Sequence, residues 1–182
     1  MFLILGIINS IFIQSVVYSL WSQNNYFSFL QNPLSYARKT HTKNKFVLYF
    51  LVGTFLEGLF IISLFYSFDQ LQSKTLILIT ILGLLLSALI GLTTHPKTRR
   101  FHKISAISFV LVMILWSLIF HIILLSVSQI HGQLGLGLSV ATIVGMSYFY
   151  FKLKSIGYSE LYFIAIITVW NILMCSLYYI YA

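Results

Sequence analysis

Negative charge is almost absent from this chain. Asp and Glu number three in 182 residues, and all charged side chains together make up 8%, against about 25% in an ordinary soluble domain. So few carboxyls argue against paired-carboxylate hydrolysis and leave no charged surface to face water. Cysteine occurs once, as Cys175 inside an apolar run, which rules out an intramolecular disulfide and any disulfide scaffold. Cys175 reads as a small apolar helix residue. No Cys/His set has zinc spacing, no His-Glu-x-x-His pair occurs, and glycine-rich nucleotide loops and a Gly-x-Ser-x-Gly elbow are missing. A bis-histidine haem needs two imidazoles at one depth, yet only His121 falls well inside an apolar run. No cofactor and no metal are expected.

What fills the chain instead is apolar: 59% hydrophobic residues, with 16 Phe, 12 Tyr and 3 Trp. This excludes disorder and an ordinary cytosolic enzyme, and leaves an integral membrane protein. A helix needs about 20 apolar residues to cross a bilayer core. Six segments qualify: Phe2–Trp21, Phe46–Ser67, Thr75–Thr94, Ile104–Val127, Leu134–Phe151 and Leu161–Tyr181. The fifth is the shortest and carries Gly135, Gly137 and Gly145. The runs are continuous rather than alternating, so a membrane β-barrel is excluded and an all-α bundle of six transmembrane helices in one domain is expected. The first run lacks a basic start and a small-x-small cleavage site, and reads as a helix rather than a signal peptide.

The net charge is +8, but the cations sit in short loops where anionic lipid headgroups are the natural counterions, and no nucleic-acid motif accompanies them. Ten of the eleven Lys and Arg fall in the first, third and fifth loops: Arg38, Lys39, Lys43 and Lys45; Lys97, Arg99, Arg100 and Lys103; Lys152 and Lys154. Only Lys74 lies in the second loop. The basic side is therefore expected in the cytoplasm with both termini outside, in the inner (cell) membrane of a bacterium. Gly83, Ser87 and Gly91 form a small-residue stripe that lets another helix approach closely, within the bundle or in a homo-oligomer. Three and three spans could form an inverted repeat, but the halves share no loop signature.

Polar residues inside the runs are the candidate sites. Glu57, near the centre of the second run, is costly in hydrocarbon and should face protein or a water-filled cavity, with Gly53 and Thr54 one turn earlier on its face. Two roles are open to it: a site for a proton, cation or polar ligand, or a hydrogen-bonding group that joins helices. Asn171 lies at a comparable depth in the last run, and His121 toward the outer leaflet with Ser117 one turn before it; either could bond across the bundle. The densest polar loop, His95 to Lys103, carries His95, Lys97, Arg99, Arg100, His102 and Lys103, a set suited to a phosphate or lipid headgroup or simply to setting topology. In the first loop, Tyr26, Phe27, Phe29 and Tyr36 suit the membrane interface, and His41 belongs to its basic tail.

Gly91 closing the third run, His102 with Ala106 and Phe109 entering the fourth, Ser159-Glu160 opening the last with Trp170 inside it, and Asn32-Pro33-Leu34-Ser35 in the first loop together form a pattern. In these residues the chain resembles the FRAG/DRAM-like six-span membrane proteins and their bacterial relatives. The Ser-Asp pair of that family's first loop is missing here. The resemblance implies lipid handling or membrane trafficking without a general catalytic mechanism, and implies that His102 and Glu160 meet near the cytoplasmic end. Glu160 also suits a helix N-terminus on its own account.

Three functions follow as expectations: a non-enzymatic protein that binds or organises lipid through its basic face, a small transporter or channel using Glu57, and a membrane enzyme acting on headgroups through His102. The orientation is directly testable. In a Cys175→Ser background, a membrane-impermeant maleimide should label Asp69→Cys in intact cells and Lys154→Cys only after permeabilisation; the reverse pattern would invert the topology.

Overall fold

A chain in lipid must close its own backbone hydrogen bonds, and helices do so. The computed structural model describes residues 2–23, 43–93 and 99–181. Over these it is all-helical: α1 (Phe2–Gln23), α2 (Lys43–Ser67), α3 (Lys74–Leu92), α4 (Arg99–Leu124), α5 (Gln129–Ser147) and α6 (Ile156–Tyr181). A 3-10 turn at Asp69–Leu71 precedes α3, and a π turn at Tyr148–Lys152 follows α5. The first loop with Arg38, Lys39, His41 and the Asn32–Ser35 turn, and His95 and Lys97 of the third, lie outside the described residues.

Several helices start earlier than the apolar runs. Helix α4 begins at Arg99 inside the basic loop, because Lys and Arg are good helix formers that can project past the hydrocarbon. Ser128 caps α5 by accepting the His131 N–H, so this helix starts at Gln129 instead of Leu134. Ser155, fully buried, accepts the Tyr158 N–H at 3.2 Å and starts α6 at Ile156. Glu160 therefore lies beyond the first turn and does not open the helix; the first turn of α6 holds no acidic residue. At the other end of α5, the Leu153 N–H reaches back to Tyr148 O at 3.3 Å, and Lys154 takes a left-handed φ of 52° that turns the chain into α6.

Each helix packs on its neighbours in sequence, and α1 packs on α6, so the six form a closed antiparallel ring. Cross-helix pairs fix the register: Thr54–Ser87 at 2.7 Å joins α2 to α3, Trp116 Nε1 donates to Thr80 Oγ1 at 2.7 Å between α4 and α3, and Gln14 Nε2 donates to Thr168 Oγ1 at 2.9 Å between α1 and α6. The small-residue stripe serves this packing: a Cβ on Gly83 would meet Met113 Sδ of α4 at 3.3 Å, and Ser87 faces Thr54.

The ring is filled unevenly. Phe60, Leu64, Leu71, Leu76, Trp116, Phe120, Leu124, Trp170, Met174 and Leu177 are buried together in the half toward the α2–α3 and α4–α5 connections. Trp116, Phe120 and Trp170 stack or meet edge to face with centroids 4.8–5.7 Å apart. The other half encloses a cavity. Outside, exposed Ile62, Leu78, Leu85, Ile107, Leu111, Val144 and Ile172 form an apolar belt. Exposed aromatics border it at both ends: Tyr66, Tyr179 and Tyr181 at one, Phe101, Tyr148, Tyr150 and Phe151 at the other. Three stretches, Arg100–Leu124, Gln129–Lys152 and Gly157–Tyr181, are long and apolar enough to cross a membrane; shorter apolar stretches cover Ile4–Val16, Leu51–Ser67 and Lys74–Ile90 among the described residues. Exposed Arg100, Lys103, Lys152 and Lys154 share the hollow end, and exposed Lys74 lies at the filled end.

The approach of α5 to α4 depends on one missing side chain. A Cβ on Gly135 would fall inside the His121 ring, whereas one on Gly137 would meet nothing within 4 Å. Gly135→Ala should therefore cost about 1–3 kcal/mol through overpacking, while Gly137→Ala should be neutral or stabilising by up to about 1 kcal/mol. Thermal unfolding of the two variants in one detergent checks the contrast.

Candidate functional site

The cavity has a volume of about 320 Å³ and is lined from all six helices, at the low end of the roughly 300–1,000 Å³ of small-molecule sites. Its floor is the aromatic core, with Trp116 and Trp170 on the surface. Its walls are mostly apolar, among them Phe12, Ile61, Leu84, Phe109, Met113, Phe163 and Ile167. It reaches the helix ends that carry His102 and Glu160, which both line it, as do Val16, Ile90 and Met146. His102 Nδ1 lies 3.2 Å from Ile90 O, an α3 carbonyl in the last turn of that helix. Arg100 and Lys103 are exposed on the first turns of α4 beside this end. Arg99 opens the same helix.

Glu57 lines the cavity, and the structure joins it to Asn171. Asn171 Nδ2 donates to Glu57 Oε2 at 3.2 Å and lies 3.2 Å from Ser10 Oγ, to which it also donates. Asn9 Nδ2 donates to the same Oε2. Three helices thus meet on one carboxyl: α1 through Asn9, α2 through Glu57, α6 through Asn171. Asn9 and Asn171 are 0% and 1% exposed, and the carbonyl oxygen of each has no partner among the described residues. No Lys, Arg or His of those residues pairs with Glu57. Asn9 and Ser10 carry no signal in the sequence beyond being polar within an apolar run, and that signal passes unread there.

His121 is held in a separate cluster beneath the cavity floor. Trp170 Nε1 crosses the ring from α6 and donates to His121 Nε2 at 2.9 Å. An indole N–H can only donate, so Nε2 is the unprotonated nitrogen and Nδ1 carries the hydrogen. That N–H points to Ser139 Oγ at 3.2 Å and Ser117 Oγ at 3.3 Å; Ser117 and Ser139 are 2.6 Å apart, and Ser139 donates on to Gly135 O at 2.9 Å. Ser117, Ser139 and Trp170 line the cavity, so His121 touches it only through them. The convergence of Glu57, His121 and Asn171 is thus partial: Glu57 and Asn171 share one cluster, and His121 forms another.

A second buried histidine escapes a reading that ends the fourth loop at Gln133. His131 stands in the first turn of α5, bonded through Nδ1 to Ser128 Oγ at 2.8 Å and through Nε2 to Ser176 Oγ at 3.1 Å. Ser176 spends its own hydrogen on Leu173 O, so His131 donates from Nε2 and accepts at Nδ1. A Ser followed three residues later by a polar side chain is the signal that marks this cap.

Comparisons of the chain with family models, with curated proteins and with solved structures give no match. The site's chemistry is therefore its own guide: an apolar, aromatic-floored chamber with one carboxyl on its wall and a polar end. Trp170→Phe keeps most of the ring packing but leaves His121 Nε2 without a donor. It should lower stability by about 1–3 kcal/mol, read by unfolding in detergent beside Trp116→Phe, which orphans only a Thr80 hydroxyl already bonded to Leu76 O.

Proposed function

We propose that this is a six-span integral membrane protein, basic end in the cytoplasm, that binds a lipid-like molecule inside its ring of helices. The observation that carries this reading is the cavity itself. It is mostly apolar, lies within the membrane-facing belt, and runs from the Trp116/Trp170 floor to the end bearing His102 and Glu160. A single apolar chain fits such a space, and its polar or anionic head would lie among His102, Glu160, Arg100 and Lys103. Guanidinium and ammonium groups at headgroup height are suited to that task. The resemblance to FRAG/DRAM-like proteins points the same way, toward lipid handling in a membrane.

A second reading, a small transporter, is favoured by Glu57 on the cavity wall, since an ionisable group there marks a pathway. Flux into liposomes that disappears in Glu57→Gln would put this reading first.

Native mass spectrometry of the purified protein tests the lipid reading. Wild type should retain at least one lipid, Ala106→Trp should fill the chamber and lose it, and Arg100→Gln with Lys103→Gln should shift retention away from anionic species. A lipid-free wild type, or equal retention in Ala106→Trp, would overturn it.

A further inference from the structure

The Glu57 carboxyl uses one of its two oxygens to close the ring and leaves the other to the chamber. Asn9 and Asn171 both donate to Oε2. Oε1 bonds to no described residue, yet it is not one of the sealed polar atoms without partners, which are Asn9 Oδ1 and Asn171 Oδ1. Glu57 is half-buried and lines the chamber, so the open space beside Oε1 is the chamber itself. Its depth follows from its neighbours. Phe60 and Ile61, one turn further along α2, belong to the buried aromatic core, and Asn171 directly follows Trp170 of the floor. The idle oxygen therefore stands at the inner end, away from His102 and Glu160. The hydroxyls that share the inner wall are already engaged: Thr80 between Leu76 O and the Trp116 indole, Ser139 between Ser117 and Gly135 O.

A polar atom at the blind end of an apolar chamber selects what can reach it. A plain hydrocarbon terminus would desolvate Oε1 and return no hydrogen bond, which is costly. We infer that the ligand of this chamber is an ω-hydroxylated acyl-type chain, with its anionic head at the basic end and its hydroxyl on Glu57 Oε1. This rests on the lipid-binding reading and adds the chemistry of the ligand's far end. A hydroxyl suits Oε1 in either of its forms. Oε2 already accepts two N–H groups, so a proton on this carboxyl resides on Oε1 and donates to the hydroxyl, while an ionised Oε1 accepts from it. The chamber's length sets the chain's. Along α6, Glu160 and Trp170 both line it, and ten residues of helix rise about 15 Å. A chain of medium length joins the two polar ends.

The purified full-length protein in detergent is tested by competition against radiolabelled dodecanoate in a scintillation proximity assay. Wild type should bind both dodecanoate and ω-hydroxydodecanoate, the hydroxylated chain at least about tenfold more tightly. Glu57→Leu should bind the two equally. Glu57→Gln keeps an oxygen for Asn9 and Asn171 and turns its NH2 to the chamber, so it should still prefer the hydroxyl. The same variant should reject ω-aminododecanoate, whose ammonium meets a carboxylate in wild type but only N–H groups in Glu57→Gln; the amino-to-hydroxyl affinity ratio should fall at least about tenfold. An undiminished hydroxyl preference in Glu57→Leu would overturn the inference. Should Glu57→Leu fail to fold, an amino-to-hydroxyl ratio unchanged between wild type and Glu57→Gln would overturn it instead. A wild type that binds both chains with equal affinity defeats this inference alone, whereas one that binds neither chain removes the lipid reading with it.

Discussion

The ring closes at the one place where no loop can close it. Neighbouring helices are tied by the chain, but α1 and α6 come from its two ends, and in lipid no hydrophobic force drives them together. Packing and hydrogen bonds have to do so. At this seam Asn9 of α1 and Asn171 of α6 both donate to the carboxyl of Glu57 on α2, Asn171 also reaches Ser10, and Gln14 reaches Thr168. A polar group in hydrocarbon is costly alone and specific once paired, so this cluster sets the register of three helices at once. Shifting α6 by one turn would strand Asn171 and leave the carboxyl with Asn9 alone.

A second polar knot lies across the ring. Trp170, one residue before Asn171, sends its N–H to His121 on α4 while its ring packs on Phe60, Trp116 and Phe120. Adjacent residues on α6 thus serve opposite purposes: Asn171 fastens the seam, and Trp170 closes the chamber floor. The two buried histidines are set as opposite tautomers by their partners, His121 by an indole that can only donate and His131 by a serine whose hydrogen is already spent. Each therefore acts as a directional link between helices.

Helices were legible because the apolar runs are long and uninterrupted, and Glu57, Asn171 and His121 stood out as polar residues within them. Where the helices begin was less legible. Arg99 to Lys103 reads as a loop by charge, yet lysine and arginine are good helix formers, and Ser128 and Ser155 cap helices from positions that composition treats as connections. Which polar residues meet was not legible at all. In α1, α2, α3 and α5 apolar side chains lie on every face, so no stripe reveals which side looks inward. Asn9 and Ser10 passed as ordinary members of an apolar helix, and only the closure of α1 on α6 brings them to Glu57.

Uneven filling makes the molecule a cup with a solid base. In the base, interlocked rings and tryptophan hydrogen bonds couple the helices, so no helix there can tilt without disturbing several others. At the rim the side chains have empty space behind them, and the local cost of displacement is smaller. The base therefore resists relative tilting of the helices more than the rim does. Under the proposed lipid-binding role, a guest entering from the bilayer would part the helices at the basic rim rather than at the base.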